Sequence, residues 1–463
     1  MGENRKNNFE ENMGGKIERR SFLKYAGAMG GALAMSKLVT STPAKASAQG
    51  EASSHHYLAA NKDTVHWGYF SKNLSPVLTV QSGDYITVEM VSHHAGDDYE
   101  RKIKGDAGVE SIYHWTEHEK NVERRGAGPM DAPNGQGGGL GVHILTGPIG
   151  VFGAKPGDIL EVRILKMWPR PNGNPKYAGK TYGVNAAAWW GYLYNHQIQS
   201  PKQREVITIY EVDSTMNIPF AKAIYSYRWT PQTDPFGVVH RIIDYPGVVR
   251  DPNTIQKTAP VLKNVYVPLK LHPGTLGVAP KEADMVNSIP PSYTAGNMDQ
   301  CRLGEGTKLY IPVAVEKALL SMGDSHATQG DSELAGTAIE MSVTALIQVI
   351  LHPQDSIRGT TLQNLDFPLF ETPDEYIVQG FTYANYLAEL GKNAQSEIFQ
   401  KSSLDLAFKD AVNKMRQFMM NAKALTEDEA ISLMSLAVDF GVTQVVDGNW
   451  GMHGILKKRV FAG

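Results

Sequence analysis

Cysteine is almost absent from this chain: Cys301 stands alone among 463 residues. That excludes an intrachain disulfide, a CxxC zinc site and a cysteine-ligated iron–sulfur cluster. Nor is one sign of charge in surplus. Lys and Arg total 45 against 48 Asp and Glu, for a formal charge of -3, and with no concentrated basic block the chain carries no electrostatic footprint for a nucleic-acid partner. No stretch reaches roughly 18 consecutive apolar residues, so no segment reads as a membrane-crossing helix. What remains is a large globular protein, with chain enough for about two to three domains.

Residues 1–48 read as an address rather than a fold. Glu18-Arg19-Arg20-Ser21-Phe22-Leu23-Lys24 matches the twin-arginine pattern, and a weakly apolar stretch from Tyr25 to Val39 follows, interrupted by Lys37. Ala44-Lys45-Ala46 and Ala46-Ser47-Ala48 each offer small residues for cleavage. The expectation is export to a bacterial periplasm, with the twin-arginine machinery as a partner. That route carries folded proteins, which suits a chain with no disulfide to oxidise after transport.

The body then reads as turns and strands. Ser82-Gly83-Asp84 leads into Tyr85–Met90, and Pro156-Gly157-Asp158 leads into Ile159–Ile164; each is a Gly-Asp turn followed by alternation of period two. Leu309–Val313 and Met341–Leu351 read as further strands. Gly126–Gly141 holds seven glycines in 16 residues, but no GxxxxGK[ST] is present and no helix follows, so it is not a phosphate-binding loop. The last quarter changes period: Leu404, Phe408, Ala411, Val412, Met415 and Met419 share a helical face. A second helix opens at Thr426 with Glu429 three residues on, a capping box, and ends before Gly441. The expected fold is α+β dominated by β, with β-sandwich or barrel-like domains and a helical carboxy-terminal region. The expected division is an amino-terminal β-rich domain over 49–265, a second β-rich segment over 266–352, and a carboxy-terminal region over 353–463.

One segment is densest in ligand-type side chains, Met322 to Glu333, in which Asp324, His326, Gln329, Asp331 and Glu333 fall within ten positions and Glu340 lies seven residues beyond. Mixed imidazole and carboxylate donors on a glycine-jointed loop suit a divalent cation; the same residues also suit a polar loop that caps its own backbone. His66 stands immediately before the first clear strands and His143 interrupts an otherwise apolar strand; each is open to a site role or a core role. His93-His94 with Asp97 and Asp98 reads as a rim loop. Nucleophilic alternatives find little support. No GxSxG elbow occurs, Cys301 has no local activating motif, and the Gly- and Ser-rich signature of a Ser-Ser-Lys triad is missing.

The motifs His66-Trp67-Gly68, His143-Ile144-Leu145-Thr146-Gly147-Pro148, Gly274-Thr275-Leu276-Gly277-Val278-Ala279-Pro280, Ser288-Ile289-Pro290-Pro291, Gly296-Asn297-Met298-Asp299 and Gly323–Glu333 occur in one order over residues 64–345. Together they resemble the acetamidase/formamidase family, and Phe440–Gly451 resembles its longer formamidase-like branch. The resemblance implies a mostly β fold, homo-oligomers, and hydrolysis of a short aliphatic amide to a carboxylate and ammonia. It also implies a metal site from His66, Asp324, His326 and Glu333, with His143 lining the pocket and Glu333 or Asp331 shuttling a proton. Gly138 and Gly139 are candidate oxyanion donors, and Gln329 and Asn297 candidate substrate contacts. His with carboxylates suits Zn²⁺, while an oxygen-rich shell admits Ca²⁺ or Mg²⁺. The chain departs from the family pattern at Ala295, where Gly is usual, at Glu316-Lys317, at Leu271-His272-Pro273 and at Ser325. These departures bear on pocket shape and so on substrate identity.

Overall fold

Period-two alternation and β-branched residues produce what they predict: strands at Tyr85–Met90, Ile159–Pro169, Lys308–Pro312 and Val343–His352. The computed structural model describes residues 53–116, 121–126, 137–188, 190–197, 206–228, 232–233, 239–240 and 256–461. The export signal read at Arg19 and Arg20 lies outside the described residues. Ser53–Gly463 form one compact unit.

Two large sheets organise that unit. The first has nine strands in the order His55–Leu58, Tyr85–Met90, Val343–His352, Ile159–Pro169, Lys308–Pro312, Leu369–Glu371, Glu375–Phe381, Gly451–Lys457 and Val438–Gln444. The second runs Ala295–Asn297, His272–Val278, Leu320–His326, Ile144–Val151 and Val65–Trp67, with Leu78–Val80 paired parallel to Ile144–Val151. A four-stranded sheet of Thr181–Ala187, Val206–Asp213, Phe220–Tyr227 and Tyr266–Pro268 completes the main architecture. The main core holds side chains from both large sheets, among them Ile86, Val88, Leu160, Leu276, Leu320, Met322 and Ile347. This sheet-on-sheet packing is the expected β-dominated α+β arrangement.

The two long helices are Leu404–Lys423 and Glu427–Ala437, and the second opens on the expected Thr426–Glu429 capping box. The inward stripe of the first is Ala407, Ala411, Met415, Phe418 and Met419, whereas Phe408 is exposed. The cause is a very close approach to the strand Glu375–Phe381. A Cβ on Gly380 would lie 2.1 Å from the Ala411 amide nitrogen and 2.5 Å from the Ala407 carbonyl oxygen, so only the smallest side chains fit at that crossing.

The strand Leu320–His326 carries two of the candidate ligands. It lies inside the six-stranded sheet, between His272–Val278 and Ile144–Val151, and every one of its residues is buried. Gly323 sits so close to its neighbour that a Cβ would fall 2.0 Å from the Ile144 carbonyl oxygen. Asp324, next in sequence, has φ 50°, which bends the strand end. Asp324 and His326 are therefore presented from a buried strand, paired on both sides as far as Gly323 and to His272 at His326, rather than from a loop.

Candidate active site: a buried carboxylate and imidazole cluster

Five carboxylic side chains and three imidazoles converge where the strand Leu320–His326 ends. Asp324 is at the centre. Its Oδ1 lies 3.2 Å from His93 Nδ1 and 3.6 Å from His326 Nε2, and its Oδ2 lies 3.6 Å from His143 Nε2. His326 Nε2 also lies 3.3 Å from Glu340 Oε1 and 3.8 Å from Asp299 Oδ1. Three donor triads are close enough to hold one ion each: His93, His143 and Asp324; Asp299, His326 and Glu333; Asp324, His326 and Glu340. Asp447 completes the carboxylate set on the same cavity wall. All eight residues are buried.

The backbone supports this convergence at some strain. Asp299, Asp324 and Glu333 have φ of 44°, 50° and 49°, a left-handed region that non-glycine residues seldom adopt and that tends to persist at functional sites. Ser332 and Glu333 are pinned from the far end of the chain: the Ser332 amide donates to the Thr443 carbonyl at 2.9 Å, and the Val445 amide to the Ser332 carbonyl at 3.2 Å. The carboxy-terminal segment that brings Asp447 thus also fixes Glu333. Ala295 has φ 66°, a region that glycine occupies at lower cost than alanine.

The hydrogen bonds behind His326 fix its tautomer. His272 Nδ1 donates to the Lys270 carbonyl at 2.6 Å, leaving its Nε2 as an acceptor, and burial beside His326 lowers its pKa to about 3. That Nε2 and Gln329 Oε1 lie 3.1 Å and 3.0 Å from His326 Nδ1, so Nδ1 must carry the proton. His326 Nε2 then points a lone pair at Asp299, Asp324 and Glu340, which is tenable only if a proton or a cation lies between them. Burial alone would lower the His326 pKa, but Glu340 and Asp324 outweigh it and hold it well above the usual value.

The rest of the cluster has the same shortage of positive charge. Burial raises the Glu333 carboxyl well above the usual range, and the negative charge of Asp299 adds to the effect. Burial and Asp299 do the same to Asp447, and burial raises Glu340. Asp324 goes the other way: burial would raise it, but His143, His326 and His93 hold it well below. Six buried atoms of the cluster have no hydrogen-bond partner: His93 Nδ1, Asp299 Oδ1, His326 Nε2, Glu333 Oε2, Glu340 Oε2 and Asp447 Oδ2. Such atoms are rare in native proteins unless an ion or water satisfies them. Several lie within ion-pair reach of each other yet out of line for a hydrogen bond, as expected when they converge on a common point. Gly274 leaves the room: a Cβ there would fall 2.5 Å from Asp299 Oδ1, 2.6 Å from Asp324 Oδ2 and 2.6 Å from His326 Cε1. The residues present fit a divalent cation.

The other sequence-predicted positions are placed variously. His143 lines the cavity and is held through Nδ1 by Ser288 Oγ at 2.9 Å. Asn297 lines it too, but its amide is committed to Thr275 Oγ1 at 2.7 Å and the Ile289 carbonyl at 3.1 Å. Gln329 supports the cluster from behind His326 and donates to the Asp299 carbonyl at 2.8 Å. Asp331 lies apart, gripped through both oxygens by Arg302 at 2.8 and 2.9 Å. Gly138 bridges to Trp67, Gly139 packs on Tyr69, and neither lines the cavity.

His66 lies outside the cluster. Both its nitrogens are occupied, Nδ1 by the Tyr69 carbonyl at 2.6 Å and Nε2 by Ser321 Oγ at 2.9 Å; it is a satisfied core histidine. Burial lowers its pKa to about 4. As the pH falls below about 6.5, the unfolded chain gains a proton there that the folded chain refuses, and stability is lost until the folded pKa near 4 is reached. Over that range the loss is about 3 kcal/mol. Denaturant titrations between pH 7 and 4 should therefore show a weaker acid dependence for His66→Gln than for the wild type, with equal bound metal in both. A His66→Gln protein that loses its metal would return His66 to the site.

Sequence reading missed His93, Asp299, Glu340 and Asp447 as site residues. The family model described as Acetamidase/Formamidase matches residues 140–287 and 281–449, a span that contains all of these but His93. The chain belongs to the acetamidase/formamidase family. It is 31% identical over 214 residues to an acetamidase of Mycolicibacterium smegmatis, covering 42% of this chain and 49% of that one. It thus spans about half the length of that curated relative. A formamidase of Methylophilus methylotrophus is 28% identical over 346 residues, covering 66% of this chain and 74% of the other. The crystal structure of a predicted acetamidase/formamidase from Thermoanaerobacter tengcongensis superposes with a TM-score of 0.57 at 23% identity, covering 89% of this chain and 98% of that one. That likeness shows the fold of the family.

Proposed function

We propose that the chain hydrolyses a primary carboxamide to a carboxylate and ammonia at the Asp324 cluster, with a divalent cation held there. The observation that carries this reading is the set of six unpartnered buried atoms around His326 and Asp324, in a family whose relatives are named for amide hydrolysis. Asp324 is shared by two of the donor triads, one with His93 and His143 and one with His326 and Glu340, and Asp299 and Glu333 form the third with His326. Mixed nitrogen and oxygen donors suit zinc, and the number of carboxylates also admits calcium or magnesium. A bound cation of this kind polarises an amide carbonyl and acidifies water.

The chain's own residues do the rest. Glu333 is buried, lines the cavity and has a free Oε2. It is placed to take a proton from the attacking water and give it to the amide nitrogen as the C–N bond breaks. Gln329 and His272 keep His326 in the tautomer whose Nε2 faces the cluster. Asp331, bound by Arg302, is not in position for proton transfer. Formamide- and acetamide-like amides, the short aliphatic class, are the smallest substrates this chemistry admits.

The test is ammonia release from formamide, acetamide, propionamide and urea, with and without a chelator. Turnover of at least one amide should fall by about 10²-fold or more on chelation and return with added Zn²⁺. Turnover indifferent to complete removal of metal would refute the cation's part in the reading.

A further inference from the structure

The cavity above the cluster is much larger than a short amide requires. Formamide or acetamide fills about 60–100 Å³, taking the ~30 Å³ share of a water molecule as the unit. The cavity measures about 580 Å³, within the range of roughly 300–1,000 Å³ that takes ligands of many more atoms.

Its walls are also divided by chemistry. The carboxylates, with His93 and His143, form a buried polar end, while the less buried aromatic side chains Trp190, Tyr192, Phe399 and Trp450 line the cavity elsewhere. Phe399 and Leu140 are 43% and 50% exposed. Tyr192 and His196 stack with ring centroids 4.5 Å apart and planes 28° apart. Trp450 stands edge-on to both, at 5.6 Å with angles of 63° and 79°. Trp190 Nε1 donates to the Gly336 carbonyl at 3.2 Å, which holds that indole against the wall.

One turn couples the two ends. Asp447, at the cluster, and Trp450, on the aromatic wall, are three residues apart, with Gly448 between them at φ 71°. Asn449 locks the turn: its Nδ2 donates to the Pro291 and Tyr383 carbonyls, both at 2.9 Å, and its Oδ1 accepts from the Tyr383 amide at 3.0 Å. The spacing between the polar end and the aromatic wall is thereby fixed before any ligand arrives.

We propose that the substrate is a primary carboxamide whose acyl group carries an aromatic ring, an arylacetamide or a benzamide, with the ring against Trp450, Tyr192 and His196 and the carboxamide at the Asp324 cluster. This rests on the hydrolase reading for the reaction and on the cavity wall for the substrate. A ring buried there gains apolar area and edge or stacked contacts that a methyl group lacks. The polar end repels the ring and so fixes the orientation.

The experiment compares phenylacetamide with acetamide on the zinc-loaded full chain. It measures kcat/KM by ammonia release and, independently of turnover, phenylacetamide binding by tryptophan fluorescence and calorimetry. The expected kcat/KM ratio favours phenylacetamide by at least about tenfold. Both that ratio and phenylacetamide affinity should fall at least about fivefold in Trp450→Ala, and likewise in Tyr192→Leu, a second variant on a separate segment. Acetamide turned over as well as phenylacetamide, or a ratio unmoved by either variant, would overturn the substrate assignment and leave the hydrolase reading standing. Phenylacetamide binding that depends on Trp450, with no amide turned over, would uphold the aromatic site and overturn the hydrolase reading. Neither binding nor turnover would overturn both.

Discussion

Asp324→Asn will remove amide hydrolysis by roughly 10³-fold or more, together with the bound cation. Asp324 is the carboxylate on which His93, His143 and His326 converge at 3.2–3.6 Å. Burial by itself would raise its pKa, yet the surrounding imidazoles hold it well below the usual value, so it enters the cluster as an anion. The substitution keeps the shape and removes the charge. It also turns an acceptor oxygen into an NH₂ group that faces imidazole nitrogens and cannot bind a cation. The backbone at Asp324 already has φ 50°, and Asn tolerates that region as well as Asp does, so the fold should survive. Far-UV circular dichroism, metal content by mass spectrometry and ammonia release on one preparation separate these effects. A folded Asp324→Asn protein that keeps its metal and more than about a tenth of its activity would contradict the role given to this carboxylate.

Gly274→Ala is the second large effect, and sequence reading alone gives no hint of it. The added methyl would lie 2.5–2.6 Å from Asp299 Oδ1, Asp324 Oδ2 and His326 Cε1, distances at which something must move. The strands on either side are paired and buried, so the ligands move rather than the sheet. Small-to-large changes in packed interiors cost about 1–3 kcal/mol, and that figure is the expected loss of stability. The expected loss of activity is larger, about 10²-fold or more, because a displacement near 1 Å disrupts a preorganised site. Bound metal should fall in parallel. Activity unchanged in Gly274→Ala would mean that the reacting groups do not meet where Asp299, Asp324 and His326 do.

How far the sequence revealed this site depended on sequence distance. Asp324, His326, Gln329 and Glu333 lie in one short segment, and local density was enough to single them out. Asp299 reaches the cluster because its amide bonds to the Gly274 carbonyl on a strand paired with Leu320–His326, Glu340 because it bridges to His326 and Val184, and Asp447 because Thr443–Val445 pairs with Ser332. Strand order and long-range pairing of that kind leave no periodic trace in the chain. His93 was visible as part of a polar knot, but its place at Asp324 rather than on a rim depends on the packing of a loop. His66 shows the converse. A histidine in an apolar strand looks like a ligand until both nitrogens are accounted for, and Tyr69 and Ser321 account for them. Local patterning served the fold better: the Gly-Asp turns, the long strands and the Thr426 cap were all legible. The rotation of the first long helix was not, because it is set by the bare surface of Gly380 on a strand the helix must lie against.

Everything proposed for the reaction depends on a cation at the Asp324 cluster. The most direct test is a crystal of the zinc-loaded protein with anomalous scattering measured above and below the zinc edge. The expected result is an anomalous peak beside Asp324, shared with His93 and His143 or with His326 and Glu340, with ligand distances of about 2.0–2.2 Å. A peak elsewhere, or ordered water hydrogen-bonded to His326 Nε2 in a protein that turns amides over, would contradict a cation at this cluster.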